Sequence, residues 1–336
     1  MILLTGASGF VGRQILEKLL QSGRKVRALV RRKESLHRWE SLEIAEGDVT
    51  RPATLKDAMR GVKAVIHLVG IIVEREDATF RKIHVEGTIN ILTAAKEAGV
   101  KRFIHMSAAG TREHAVSEYH RTKWEAEELV RQSGLDWTIF RPSLIYGSDG
   151  ELTRLLFSLN IFPLKILLLD TIPCIGGGIT IFRPIPVGDV ATAFVRSVGN
   201  GSTVSQTFEL GGPKTTFREI LETVAKTAGR KPTFINNQPA TLLLAFPWYF
   251  CTKSHPLILP VPFALARFGT AILERGYGTL RLFLPHGIKC RLPPLPLSMN
   301  ILAMLEENHL ADTTSAENIL DIHPPAFADG ITHFQK

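Results

Sequence analysis

Residues 119–123 read Tyr119-His120-Arg121-Thr122-Lys123. On a helix, positions four apart share a face, so this spacing sets a phenol beside an ammonium. A free tyrosine titrates near pH ~10. A neighbouring cation stabilises phenolate and draws that value toward the working range, so such a pair can exchange a proton with a carbonyl or an alcohol. Ser107, in His105-Met106-Ser107-Ala108-Ala109, ends an apolar run and can hydrogen-bond the same oxygen. Tyr119 is then the acid/base, Lys123 its electrostatic partner and Ser107 the oxygen contact. The plain alternatives are a tyrosine packed on a sheet and a serine capping a strand end.

Proton exchange of this kind needs a hydride partner, and the first dozen residues provide for one. Thr5-Gly6-Ala7-Ser8-Gly9-Phe10-Val11-Gly12 lies between the apolar run Met1–Leu4 and the amphipathic stretch Arg13–Gln21. Strand, glycine turn and helix follow in the order that holds a pyrophosphate, because a helix N-terminus presents unpaired N–H groups and about half a positive charge. Gly6 permits the tight turn, Gly9 lets phosphate reach the backbone, and Gly12 lets helix and strand pack closely. Candidate contacts are Thr5, Gly6, Ser8, Gly9, Phe10, Val11 and Gly12. An empty glycine loop is the alternative, but the second strand, Lys25 to Val30, completes the dinucleotide-binding pattern.

That second strand ends in Arg31-Arg32, where an NAD site usually carries an acid for the ribose 2′-hydroxyl. Guanidinium groups suit a 2′-phosphate by charge and bidentate geometry. The expected cofactor is NADP(H), with NAD(H) the alternative if Arg31, Arg32 and Lys33 form only a solvated turn. Leu68 and Gly70, in His67-Leu68-Val69-Gly70, let backbone pass near the cofactor ribose, with His67 itself read as a core histidine. Arg141-Pro142-Ser143 leaves the sixth strand through a proline-ended bend whose carbonyls either meet the nicotinamide amide or form a plain strand exit.

The elements that must position these residues alternate. Strands are expected at Ile2–Leu4, Val26–Val30, Glu43–Ala45, Ala64–Val69, Arg102–Met106 and Trp137–Phe140. Helices are expected at Phe10–Gln21, Ala53–Arg60, Thr79–Glu97 and Tyr119–Gln132. This predicts an α/β fold with a Rossmann-type doubly wound parallel sheet over residues 1–147. Residues 148–336 form a smaller α+β substrate or partner region, interleaved with the first. There the pattern predicts helices at Glu151–Phe162, Val190–Val198 and Thr216–Ala228 and strands near 182–187 and Thr207–Leu210.

The 336 residues are 45% hydrophobic, enough for a sizeable core, and carry a formal charge of +8 without a long Lys/Arg run, which argues against nucleic acid. Three separated cysteines, Cys174, Cys251 and Cys290, lack the spacing of a disulfide framework or a metal site. The first strand begins at Met1, leaving no room for a targeting peptide, so a cytoplasmic protein is expected. No uncharged apolar stretch is long enough to span a bilayer.

The glycine spacing after Thr5, G-x-x-G-x-x-G, resembles the short-chain dehydrogenase/reductase superfamily in its extended or atypical branch. The resemblance sharpens at His67–Ile72, His84-Val85-Glu86-Gly87-Thr88, Tyr119–Lys123, Arg141-Pro142-Ser143, Pro186–Val190, Glu209–Pro213, Leu295–Asn308 and Ile322-His323-Pro324. Together these are similar to the atypical group that includes the nucleotide-binding accessory subunit of respiratory complex I and its bacterial relatives. The resemblance implies that Asp48, followed by Val49, meets the adenine amino group, where the residues alone allow a cap or turn. It also implies three readings. The first is a reductase or dehydrogenase of a hydrophobic carbonyl or quinone-type compound. The second is a non-catalytic NADPH-holding accessory or assembly protein of a respiratory or ubiquinone-making complex. The third is a sugar-nucleotide epimerase or dehydratase. The absence of a presequence favours a bacterial relative, and the short Ser107–Tyr119 interval leaves less room for a substrate segment than extended members have.

Residues 240–297 match the resemblance least. They combine Phe246-Pro247-Trp248-Tyr249-Phe250 and Pro256–Phe263 with Lys253, Arg267, Arg275, Arg281, Lys289 and Arg291 against the single acid Glu274. Rings, apolar runs and cations suit a membrane interface on the inner face, while prolines exclude one continuous helix. The alternative is a core-covering extension with a basic rim.

Overall fold

The computed structural model describes all residues except 37–38, 40, 76, 149, 151–163, 167–168, 230–232, 235–256, 284–297, 309 and 333–336. The chain divides into two compact units: residues 1–145, 183–212 and 310–325 form the first, and 146–182, 213–309 and 326–336 the second.

The first unit is built on seven parallel strands, β1 (Ile2–Thr5), β2 (Val26–Val30), β3 (Leu42–Glu46), β4 (Ala64–His67), β5 (Arg102–Met106), β6 (Asp136–Pro142) and β7 (Gln206–Leu210). Their order across the sheet is β7-β6-β5-β4-β1-β2-β3. The order reverses beside β1, which opens a crevice at the carboxyl ends of β1 and β4, the ligand position of doubly wound sheets. Because side chains alternate along a strand, Leu4, Ile66, Ile104 and Phe140 face one way, toward α1 (Phe10–Gln21) and α4 (Val187–Ser197). Leu3, Val65, Phe103 and Ile139 face the other, toward α2 (Gly87–Glu97) and α3 (Glu118–Arg131). Helix α1 lies where expected because Val11, Ile15, Leu16 and Leu19 give it one buried stripe. Strand β7 is an edge of the main sheet, paired in parallel with β6.

Three expected elements differ. Ala53–Arg60 is not one helix but two short 3-10 turns, Pro52–Thr54 and Asp57–Met59. The Thr54 hydroxyl donates to Arg51 O and accepts from Asp48 N, and such local bonds compete with helical winding. The fourth strand stops at His67 rather than Val69, because the Leu68 N–H turns to the Thr5 hydroxyl instead of a strand neighbour. The Thr79–Glu97 helix begins with a wide π turn over Arg81–Glu86 before α2. The helix expected at Glu151–Phe162 lies outside the described residues.

In the second unit, Leu164–Ile166, Leu169–Ile175, Leu257–Val261 and Thr233–Phe234 lie side by side in that order, the first pair antiparallel and the rest parallel. Helix α5 (Phe217–Thr227) starts with a complete capping box, Thr216 with Glu219, and buries Ile220, Leu221 and Val224. Helix α6 (Phe263–Phe283) packs with α7 (Met299–Glu306). Of the segment 240–297, residues 257–283 are described.

Arg102 holds one end of the sheet. Its guanidinium donates to Asp136 O, Thr138 Oγ1, Ser197 O and Thr203 Oγ1, tying β5 to β6, to the end of α4 and to the turn before β7. Replacing Arg102 by Leu strands buried acceptors, so the Arg102→Leu protein should lose ~2–4 kcal/mol in urea unfolding. An unchanged midpoint and slope would show that these bonds contribute nothing net.

Candidate cofactor and proton-transfer site

The loop between β1 and α1 is wound tightly. Gly6 takes φ +74°, a conformation that favours glycine. Gly9 N donates to Gly6 O at 3.0 Å, and Arg13 N donates to Gly9 O. A Cβ on Gly12 would sit 2.1 Å from Gly6 O, so the first turn of α1 lies directly on the loop backbone. The Gly9 cap carries no side chain, and the first turn holds no acid. The opening N–H groups of α1, on Phe10, Val11 and Gly12, lack helical partners. They fit the diphosphate of a dinucleotide in charge and in geometry. Arg13 adds a cation: its Nε donates to Ser8 O, 3.1 Å away, next to the loop. Sequence reasoning missed Arg13, although a cation one residue past the third glycine was the available signal.

Arg31 and Arg32 are exposed at the end of β2. Asp48 closes its own turn, with Oδ1 accepting from Thr50 N and Thr50 Oγ1 at 2.9 and 2.8 Å, and Val49 is buried in the core behind it. Leu68 is buried, and Gly70 follows it close to α3, where an added Cβ would stand 3.0 Å from Lys123 Nζ.

Helix α3 starts at the Ser117 cap, whose hydroxyl accepts from His120 N, and carries Tyr119 and Lys123 inward on one face. Lys123 Nζ donates to Met106 O at 3.0 Å, at the residue before Ser107. Burial pushes the Lys123 pKa down to about 8, opposed by the charge of Glu127. The Tyr119 ring meets Phe80, His84 and His120 edge-on, with centroids 5.8, 5.5 and 5.2 Å away. Here the structure corrects the expectation that Lys123 draws the phenol down. Burial pushes Tyr119 up to about 12 by desolvating the phenolate form. The Ser107 hydroxyl donates to Thr111 Oγ1 at 3.3 Å, and its N–H to Phe140 O.

The Arg141 side chain is committed elsewhere. It forms a two-point pair with the fully buried Glu127, which also binds Arg131, and Trp124 lies against both guanidiniums. Pro142 O accepts from Ala109 N, Ser143 N donates to Leu210 O, and Ser143 Oγ accepts from Arg183 N. The bend therefore joins the ends of β5, β6 and β7.

The larger omission from the sequence reading is a polar row under the site. Thr5, His67 and His105 are register neighbours on β1, β4 and β5, on the same sheet face as Leu3, Val65 and Phe103. His67 Nδ1 meets Thr5 Oγ1 at 2.8 Å, Nε2 meets Thr88 Oγ1 at 3.3 Å, and its ring stacks on His105 at 5.5 Å. His84, on the π turn, spans three segments: Nδ1 meets Thr122 Oγ1 at 2.9 Å and Nε2 meets Ile71 N and O at 3.1 Å. A π turn lets one side chain reach where a regular helix would not. His84 therefore joins the Gly70 loop to the helix that carries Tyr119 and Lys123. A single sequence offers no periodic signal for such a contact; the sign was a dense set of histidines at strand ends.

Among the described residues no cluster of His, Cys, Asp and Glu could hold a metal, and no helix is long and apolar enough to cross a membrane. Cys174 is buried and its thiol is pushed up to about 11, which suppresses thiolate chemistry.

The fold and the loop define a Rossmann-type NAD(P)H-binding protein, and a family model of NAD(P)H-binding proteins matches residues 6–157. The chain belongs to the atypical short-chain dehydrogenase/reductase family. It is 30% identical to a photosystem II assembly factor of Guillardia theta over 73% of this chain and 75% of the relative. It is 30% identical to the mitochondrial NADH dehydrogenase alpha subcomplex subunit 9 of Arabidopsis thaliana over 76% of this chain. It is 35% identical to a ceramide reductase of Caulobacter vibrioides over 47% of this chain. These matches span 65% of the plant subunit's length and 50% of the reductase's. The fold is shared with an Escherichia coli NADPH-dependent quinone oxidoreductase solved with NADPH (TM-score 0.67, 17% identity, 100% of both chains). It is also shared with a UDP-glucose 4-epimerase of Thermotoga maritima (TM-score 0.67, 18% identity, 99% of this chain and 97% of that one).

His67 and His84 are held down to about 3 and about 2, and His105 well below its ordinary value, each chiefly by burial and then by the Lys123 charge. A base whose folded pKa is depressed stabilises the fold above its unfolded value of ~6.5 and loses that contribution as pH falls. Stability should be flat just above that pH. Below it, each histidine should remove ~1.4 kcal/mol per pH unit. Urea unfolding at a series of pH values checks this; a His84→Asn protein should show a shallower acid slope.

Proposed function

We propose that this chain is an NADP(H)-dependent reductase of a hydrophobic carbonyl or quinone-type compound. The observation that carries the reading is the placement of Tyr119 and Lys123, buried on one face of α3, with Lys123 Nζ bound to Met106 O beside Ser107 at the end of β5. With its pKa near 12, Tyr119 is a phenol at every physiological pH, the form a reduction requires and an oxidation does not. The bound nicotinamide supplies a hydride, two electrons in all, to the carbonyl carbon. Tyr119 delivers its hydroxyl proton to the oxygen, and the phenolate left behind is stabilised by Lys123 until solvent reprotonates it. Ser107 steadies the oxygen once its hydroxyl leaves Thr111. The same phenol is a poor base toward a sugar hydroxyl, which weighs against epimerisation. The ceramide reductase relative supports an apolar substrate.

Arg31 and Arg32 support the NADP(H) preference: exposed at the end of β2, they present charge where the 2′-phosphate of a bound cofactor lies. Asp48 would meet the adenine, and the bend at Arg141-Pro142-Ser143 the nicotinamide amide through its backbone. The odd number of cysteines, without the spacing of a disulfide framework, suits a cytoplasmic protein.

A second reading has its own support. Tyr119 is only 8% exposed and Lys123 2%, with the Ser107 hydroxyl turned to Thr111. A site so enclosed suits a subunit or assembly factor of a respiratory or quinone-making complex that holds its cofactor without turnover.

Tyr119→Phe separates the two. Under the reductase reading it lowers kcat about a hundredfold or more while NADPH affinity holds, whereas Gly9→Asp abolishes both. A cellular phenotype that survives Tyr119→Phe but not Gly9→Asp would instead establish the holding role. Reductive kcat/KM should also fall above pH about 8 as Lys123 loses its proton, and Lys123→Arg should move that limb upward. Removing Arg31 and Arg32 together should weaken NADPH about tenfold or more and leave NADH affinity nearly unchanged.

A further inference from the structure

His105 is the member of the polar row that its neighbours leave unsatisfied. His67 beside it uses both ring nitrogens, on Thr5 and Thr88. His105 is equally buried, yet neither Nδ1 nor Nε2 has a hydrogen-bond partner. Val65 and Phe103 on the same sheet face are apolar, and Ile139 stands opposite it in the register of β6. A leucine would complete that surface with no polar atom left unpaired, so the imidazole stands there at a cost in stability.

The complementary shortage lies one residue further along β5. An ammonium has three donors. Buried Lys123 spends one, on the carbonyl of Met106, the residue after His105, and makes no other hydrogen bond among the described residues. Glu127, four residues along α3, commits its carboxylate to Arg131 and Arg141. The other titratable groups around the ammonium are His67 from β4, His84 from the π turn and Tyr119 from α3 itself. Both of those histidines already bond to threonines. Arg131 adds its charge at His105 from the far end of α3. A neutral imidazole carries one lone-pair nitrogen, an acceptor, and His105 has that acceptor unspent.

We propose that His105 is a positioning residue for Lys123: its neutral ring presents an acceptor to the buried ammonium and so keeps the proton on it. The proposal deepens the reductase reading, in which Lys123 stabilises the Tyr119 phenolate, and rests on that reading for its catalytic meaning. An apolar residue at 105 would leave the ammonium less solvated, and Lys123 would then give up its proton at a lower pH.

The test follows Lys123 directly, through the pH titration of its ε-methylene NMR signal in the full chain, assigned by the loss of that signal in Lys123→Arg. His105→Leu should lower the midpoint by about one pH unit, about a tenfold gain in acidity, and should raise the urea midpoint of unfolding. His105→Met serves as a second apolar replacement should the leucine pack poorly. His105→Gln, which returns an amide acceptor to the position, should restore most of the parent midpoint. The alkaline limb of reductive kcat/KM should move down with the titration in the apolar variants. NADPH binding by each variant confirms that it is folded. A Lys123 midpoint unmoved by the apolar replacements, or moved equally by His105→Gln, overturns the proposal. A parent chain that reduces no carbonyl or quinone would sink the reductase reading alone, because the titration needs no substrate.

Discussion

The closeness of α1 to the loop before it is the constraint on which the site depends. With no Cβ at Gly12, the first helical turn rests on the Gly6 carbonyl, and Gly6 itself occupies a left-handed conformation. This aims the unpaired N–H groups at the carboxyl ends of β1 and β4, where the sheet order reverses. Everything proposed for the chemistry is placed relative to that point. The Gly70 loop leaves β4 there, Lys123 reaches the end of β5 beside it, and the buried histidines tie the strands to α2 and α3 underneath.

Burial governs the chemistry of the site. Water exclusion sets the charge state of the whole site: a phenol kept protonated, an ammonium brought near neutrality, and histidines kept neutral. His67 and His84 therefore act as hydrogen-bonding struts rather than as acids or bases. His84 reaches both its partners from the π turn over Arg81–Glu86. Glu127 plays the opposite part: fully buried, it is neutralised by Arg131 and Arg141 and fastens α3 to β6.

Much of this was legible in the sequence. The glycine spacing marks the loop, and alternating apolar runs mark six of the strands of the parallel sheet and three of the four helices expected between them, because each rests on local periodicity. What was not legible depends on contacts between distant segments. Nothing near Thr207–Leu210 tells that it joins the main sheet beside β6. Nothing in Arg141 announces that its guanidinium is occupied by Glu127. The i, i+4 spacing of Tyr119 and Lys123 predicts a lowered phenol pKa, yet spacing carries no information about desolvation, which raises it. The 3-10 turns at Pro52–Met59 follow from a threonine hydroxyl that competes for backbone, a choice invisible to hydrophobic pattern.

Titration calorimetry of the purified chain with NADPH and with NADH tests the diphosphate cradle most directly. One molar equivalent of NADPH should bind, more tightly than NADH, with heat of binding lost when Gly9 is replaced by Asp. Absence of binding by either dinucleotide to folded protein would contradict the cradle and, with it, both the reductase and the cofactor-holding roles.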